Sequence, residues 1–135
     1  MDNMAHLHEV ESWDNDPEQE TPKQLPKPSG WRVLVKPQAP KKKTKSGLYL
    51  PQQSQDNEEY LIAHGIILNH GPLAWRERQT GQWWHGGKWA EIGDHVTFGK
   101  YAGQKLIISG VKLLLLNDDE ITSVVPDGCN IQNYI

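Results

Sequence analysis

Short β-prone runs separated by polar and turn residues recur along the chain from residue 31 onward, and the first of them alternates in polarity. The run 31–37 (WRVLVKP) places Trp31, Val33 and Val35 on one face of a strand, and Pro37 closes it. No window of this region has the period of an amphipathic helix. Five further short, β-prone runs are bounded by glycine, asparagine, aspartate or proline: 60–72, 92–101, 104–110, 111–117 and 120–126. Regularly spaced short strands predict an all-β barrel or sandwich.

Two features interrupt this strand pattern. Gly65 lies inside the run 60–72, where an isolated glycine predicts a bulge or a sharp bend, as at a barrel corner. Residues 73–91 contain four of the six tryptophans together with the turn signals Thr80-Gly81 and Gly86-Gly87. This composition predicts one or two β-hairpins.

A single apolar triplet, Leu48-Tyr49-Leu50, stands in the otherwise polar segment 38–58, preceded by Gly47. Two interpretations follow from the residues alone: the triplet forms an edge strand of the chain's own barrel, or it binds another protein.

The lysines upstream of the triplet raise a nucleic-acid hypothesis. Lys41, Lys42, Lys43 and Lys45 could contact the phosphates of a single strand. No aromatic residues are interleaved with them, and residues 30–135 carry twelve basic and ten acidic residues. Because this balance gives no strong basic field, we do not expect a nucleic-acid partner.

Charge and composition divide the 135-residue chain. Residues 1–29 hold seven acidic residues and two lysines and are rich in Gln and Pro. Such a segment buries too little apolar surface to offset the entropy of ordering, so we expect a disordered acidic extension. Its His6 and His8, beside Glu9, lack further ligands at a suitable spacing and are interpreted as solvated side chains.

Cysteine content and apolar runs bear on the compartment. The one cysteine, Cys129, cannot form an intramolecular disulfide, which fits a reducing compartment such as the cytoplasm. The N-terminus lacks the pattern of a signal peptide, and the longest purely apolar run, 113–116, is far too short to span a bilayer. We therefore expect a cytoplasmic protein without a membrane partner.

The chain contains no motif of a familiar catalytic, phosphate-binding or zinc site. Its histidines at 64, 70, 85 and 95 have no orienting partner at a readable spacing and are interpreted as surface or strand-packing residues. The acidic run Asp118-Asp119-Glu120 is interpreted as a solvated turn before the last strand rather than a cation site. We expect no enzyme activity, no cofactor and no metal.

The order of the segments resembles the GroES-type co-chaperonin family over roughly residues 27–126. The block 93–103 (GDHVTFGKYAG) is the most specific, followed by the ending of acids before Ile-x-x-Val-Val. The segments that carry the resemblance are, in order, GWRVLVKP, TKSGLYLP, HGIILNHGP, IGDHVTFGKYAG and LLLLNDDEITSVV.

The resemblance implies a small irregular β-barrel domain over 30–126, with a mobile loop at about 38–59 and a roof hairpin at about 73–91. Residues 127–135 would form a C-terminal tail. In the family, such subunits assemble into a seven-membered ring that caps a chaperonin cylinder and closes the chamber in which client proteins fold. The chaperonin hydrolyses the nucleotide, so the cap needs no catalytic residue.

The resemblance also assigns candidate site residues. Gly47 falls on the family's loop glycine, and Leu48, Tyr49 and Leu50 fall on the hydrophobic triplet that docks on the chaperonin's apical domains. Three further candidate residues, Trp83, Trp84 and Trp89, would lie in the roof hairpin.

Departures from the family pattern are Trp31, the bulky Tyr49 and the long, Trp-rich roof, and they suit a virus-encoded or otherwise divergent member. Two alternatives remain: a GroES-fold binding or structural module without a chaperonin partner, and a fragment of a zinc-dependent dehydrogenase. The second would need metal ligands and a nucleotide-binding half that the chain does not supply.

Overall fold

The computed structural model describes residues 13–16, 18–39, 63–127 and 129. A 3₁₀ turn, Asp118–Glu120, is the only helical element of this part of the chain, which confirms the all-β prediction. None of its helices is long and apolar enough to cross a membrane. The six strands are β1 (Arg32–Gln38), β2 (Ala63–His70), β3 (His95–Phe98), β4 (Gln104–Ile108), β5 (Val111–Asn117) and β6 (Ile121–Val125).

The strands form one antiparallel sheet in the order β4-β5-β1-β2-β3-β6. Buried side chains of five of these strands meet in one apolar cluster, so the sheet curls around its own core as a small barrel. The alternation read from the sequence explains this, because every second residue of a strand points to the same face. The strand residues of the cluster are Val33, Val35, Ile67, Val96, Phe98, Leu114, Leu116 and Ile121.

A second, smaller apolar cluster lies on the other face of the sheet. Leu34, Val111 and Leu113 form its buried centre, and Leu25 from the N-terminal segment packs against it. Both faces of β1 are therefore covered, which accounts for the unbroken buried run from Val33 to Pro37.

The irregularity expected at Gly65 lies elsewhere. The register of β1 against β2 shifts between Leu34 and Val35, whose partners are Asn69 and Ile67, so Leu68 is the extra residue of the bulge. Gly65 is instead required by close approach of β1: a Cβ at this position would lie 2.4 Å from the Lys36 carbonyl oxygen. The prediction of a bulge at Gly65 was wrong, although the glycine still marks a backbone constraint.

Part of segment 1–29, which the composition predicts to be a disordered extension, is described and contacts the barrel. Asn15 is buried and forms an isolated parallel bridge with Gln38, and Trp13 donates its indole N–H to the Leu113 carbonyl (2.9 Å). A few side chains therefore anchor a segment that is otherwise polar. Residues 1–12 lie outside the described part of the chain.

Residues 73–91, hereafter the Trp-rich extension, contain no regular strand. A single antiparallel bridge, Arg76 with Trp83, joins its two arms, and the Glu77 N–H donates to the Gln82 carbonyl (2.7 Å) at the tip. The predicted hairpins are thus reduced to one irregular, turn-rich excursion between β2 and β3.

Candidate functional site

The predicted docking residues Gly47, Leu48, Tyr49 and Leu50 lie outside the described residues. What the structure gives is the position of the segment's two ends. Gln38, the last residue of β1, is paired with His64 at the beginning of β2, so the chain leaves the sheet and returns beside its exit. Neighbouring antiparallel strands need a connection of only about 2–5 residues. Segment 40–62 is therefore much longer than the connection between these strands requires, which indicates that it has another function.

The Trp-rich extension is attached to the barrel core by its first tryptophan. Trp75 is fully buried in the main cluster, and Trp89 lies with its ring centroid 5.8 Å away. Trp84 stacks on Trp89 with a centroid separation of 5.5 Å. The structure thus brings two of the predicted roof residues, Trp84 and Trp89, together above the core.

Trp83, the third predicted roof residue, lies apart from that stack. The residue is 44 % exposed, and its ring carries the Arg76 guanidinium 3.9 Å from the ring centroid, with the Lys88 ammonium 5.6 Å away. A cation over the face of an indole ring is attracted by the negative charge of that face. The outer end of the extension is accordingly both aromatic and cationic.

Trp75 adopts an unusual backbone conformation for a large side chain. Its φ of 70° lies in the left-handed region, which costs free energy in a non-glycine residue. The Trp75 N–H donates to Asp118 Oδ2 (2.7 Å), and the Trp75 carbonyl accepts from the Trp84 N–H (2.8 Å). These two hydrogen bonds hold the residue at the point where the extension leaves the core.

Asp118 connects the extension to the turn between β5 and β6. Its carboxylate is fully buried and also accepts from the Arg78 guanidinium (2.8 Å), and this hydrogen bond raises the pKa of Arg78. Arg78 lies over the Trp31 ring, 4.7 Å from its centroid. The interpretation of residues 118–120 as a solvated turn was wrong for Asp118, whose charge is compensated inside the protein.

Two of the four histidines that the sequence left scattered are paired. His64 on β2 and His95 on β3 lie with Nδ1 and Nε2 2.6 Å apart. Burial, and secondarily the neighbouring His95, lower the pKa of His64 to about 4, and burial also lowers the pKa of His95. Both rings are therefore neutral near pH 7 and share one proton in their contact.

Among the described residues, no third metal ligand accompanies the histidine pair. In the ranges that the structure describes, no group of three or more His, Cys, Asp or Glu side chains is placed to hold a metal ion. Sequence reasoning missed this pair, as it missed Arg78 with Asp118, because partners 31 and 40 residues apart leave no local signal.

Taken together, the curled antiparallel sheet, the long segment inserted between β1 and β2, and the excursion between β2 and β3 define a small all-β protein with a GroES-like barrel.

Comparison with known proteins identifies the family. The family model described as "Chaperonin 10 Kd subunit" matches residues 26–125, and the chain belongs to this family. Proteins named Co-chaperonin GroES are similar over most of their length. The one from Rhodothermus marinus is 31 % identical over 104 residues, covering 75 % of this chain and 92 % of the relative. That from Coprothermobacter proteolyticus is 32 % identical over 103 residues (73 % and 93 %), and that from Herminiimonas arsenicoxydans 33 % over 98 residues (70 % and 90 %). The resemblance drawn from the sequence is thereby confirmed.

Proposed function

We propose that this protein is a co-chaperonin: a ring lid that closes a GroEL-type chaperonin cylinder in the cytoplasm and assists ATP-dependent folding of client proteins. The family match over residues 26–125 carries the proposal, because it spans the barrel and the inserted segment together. The lid itself performs no catalysis and needs no cofactor. It acts as a homo-oligomer, a heptamer by analogy with the family.

Docking is assigned to the triplet Leu48, Tyr49 and Leu50, with Gly47 before it. Burying three large apolar side chains contributes roughly 1.5–3 kcal/mol each, about 5–9 kcal/mol in total. Ordering a polar segment on binding costs about 2–5 kcal/mol or more. One segment alone therefore binds weakly and releases readily.

Repetition around a ring supplies the missing affinity. Once one copy of the segment has docked, the next copy binds at a high effective concentration, so several weak contacts give tight capping that remains reversible. The position of both segment ends on neighbouring strands, β1 and β2, supports this assignment, because it would present every copy from the same edge of its barrel.

The Trp-rich extension is proposed as the roof of the lid. Trp84 and Trp89 stack towards the core, whereas the exposed Trp83 with Arg76 gives the outer end an aromatic and cationic surface. This surface would face neighbouring copies or the closed chamber.

Substitution within the triplet tests the docking assignment. Leu50→Asp is expected to leave the ring intact, by native mass measurement, and to abolish capture by a chaperonin with nucleotide bound. Gln53→Asp introduces the same charge three residues away and is the matched control, with capture retained. A Leu50→Asp ring that still caps the chaperonin would contradict the docking assignment. A wild-type ring that binds no chaperonin would favour a GroES-fold module with another role.

A further inference from the structure

The N-terminal segment fills a gap in the sheet next to the inserted segment. Strands β1 and β5 are paired only from Arg32 to Val35, opposite Leu114 to Asn117. Further along β1, Pro37 has no N–H to donate, so the ladder cannot continue through it. Asn15 lies at this gap and is only 6 % exposed.

Asn15 satisfies the backbone groups of both strands at the gap. Its side-chain amide donates to the carbonyls of Pro37 (2.8 Å) and Lys112 (2.9 Å), and its side-chain oxygen accepts from the Lys112 N–H (3.0 Å). Its main chain adds an N–H bond to the Pro37 carbonyl (3.0 Å), and its carbonyl accepts from the Ala39 N–H (2.9 Å). Asn15 therefore substitutes for a missing stretch of strand pairing.

Contacts on either side hold Asn15 in place. Before it, Trp13 donates to the Leu113 carbonyl and lies 5.4 Å from the Lys105 ammonium. After it, the Lys36 ammonium donates to the Gln19 carbonyl and to Thr21 Oγ1 (3.3 Å). We call residues 13–16 and 18–21 the N-terminal strap.

The strap acts on the part of β1 from which the candidate docking segment departs. Lys36, Pro37 and Ala39 all bond to it, and Ala39 is the last described residue before segment 40–62. We propose that Asn15 is a positioning residue: it fixes the point at which the docking segment leaves the barrel, so that less conformational freedom is lost when the segment binds. This inference rests on the proposed co-chaperonin function.

The strap lies outside the family match. The family model begins at residue 26, whereas Asn15 and Trp13 lie before it. The strap thus precedes the matched region and is tied through five hydrogen bonds of Asn15 to residues within it.

The variant Asn15→Ala tests the inference by two measurements on the full chain. Hydrogen exchange of the Ala39 and Lys112 amides should accelerate, whereas exchange of the Val96 and Phe98 amides in the core should not. Affinity for a nucleotide-bound chaperonin should fall by about tenfold for each docked segment, the factor expected when about one residue more must be ordered on binding, and by more for the whole ring because every copy carries the change. Ring mass should stay unchanged. Trp13→Ala, which alters a partly exposed contact, should shift both readouts less.

Gln19→Ala is the matched control, since this exposed side chain belongs to the strap and its bonded group is the main-chain carbonyl. It should change neither readout. If the Ala39 amide exchanges at the same rate in Asn15→Ala as in wild type, the strap does not restrain the end of β1. Faster Ala39 exchange with unchanged affinity would overturn the positioning role. If Asn15→Ala fails to assemble, Trp13→Ala decides between these outcomes. Failure of the wild-type ring to bind any chaperonin would instead remove the proposed function, and the exchange result would still report whether the strap holds β1.

Discussion

His64 and His95 lie diagonally across β2 and β3, and nothing acidic stands opposite either of them in the sheet. The cross-strand partners of His64 are Gln38 and Thr97, and those of His95 are Ile66 and Val125. Within the described part of the sheet, a proton added to this pair therefore meets burial and a second imidazole, with no acidic cross-strand partner. The pair is stable as two neutral rings and unfavourable once it is charged.

The histidine pair should make folding sensitive to mild acid. His64 has a folded-state pKa of about 4 against 6.5 when unfolded, so the unfolded state binds more protons between these values. The free energy of unfolding consequently falls as pH drops from 6.5 towards 4, by about 2–3 kcal/mol from this residue. Urea unfolding at pH 7.5 and pH 4.5, at one protein concentration, should show a smaller pH-dependent loss in His64→Gln than in wild type. His85→Gln, at an exposed position, should keep the wild-type loss. Equal losses in all three proteins would contradict this assignment.

At the scale of elements, the Trp-rich extension depends on a link to a turn that is distant in sequence. Asp118 holds the strained main chain of Trp75 and the guanidinium of Arg78 at once. Without this carboxylate, the buried N–H of Trp75 loses its acceptor, and only one of the two hydrogen bonds that hold its left-handed backbone remains. The orientation of the extension is therefore set from the β5–β6 turn rather than by strand pairing of its own arms.

Removing the Asp118 carboxylate should loosen the extension and lower stability. Asp118→Ala is expected to reduce the free energy of unfolding by about 2–3 kcal/mol, less than for a fully enclosed ion pair because water can still reach Arg78. Intrinsic tryptophan fluorescence should report the change around Trp75. The neighbouring Asp119, 3.9 Å from Arg78 and 58 % exposed, provides the comparison: Asp119→Ala should stay within about 0.5 kcal/mol of wild type. Similar losses in the free energy of unfolding in both variants would show that the buried position of Asp118 does not contribute to stability.

Contacts between residues distant in sequence limit what the sequence alone predicts for this chain. Alternation of apolar residues predicted β1 closely, and a β-prone run bounded by turn residues predicted β5, because both signals are local in the sequence. Asp118 and Asn15 escaped prediction because their burial depends on partners brought from far along the chain. Gly65 was correctly singled out, but the reason is close backbone approach rather than a bulge. Both situations favour a residue without a side chain, so the sequence alone does not distinguish them.

At the scale of the whole molecule, the barrel positions the inserted segment 40–62 and the Trp-rich extension. The sheet's two edges, β4 and β6, are short strands, each of five residues, while the inserted segment departs between the central strands β1 and β2. A rigid centre with both faces of β1 covered gives the segment a fixed base. Under the proposed function, the affinity then depends on how many such bases a ring presents together.

Mixed rings should reveal this dependence. If wild-type and Leu50→Asp chains are co-assembled at graded ratios, each replaced copy removes one contact from a multivalent set, so affinity for a nucleotide-bound chaperonin should fall by about a constant factor, on the order of tenfold, per copy. Capture would then decline far more steeply than the fraction of variant chains. Mixed rings with Gln53→Asp should retain affinity at every ratio, which separates loss of the apolar contact from added charge. Capture that declines in simple proportion to the variant fraction would mean that the segments bind independently, and the account of weak anchors strengthened by repetition would have to be abandoned.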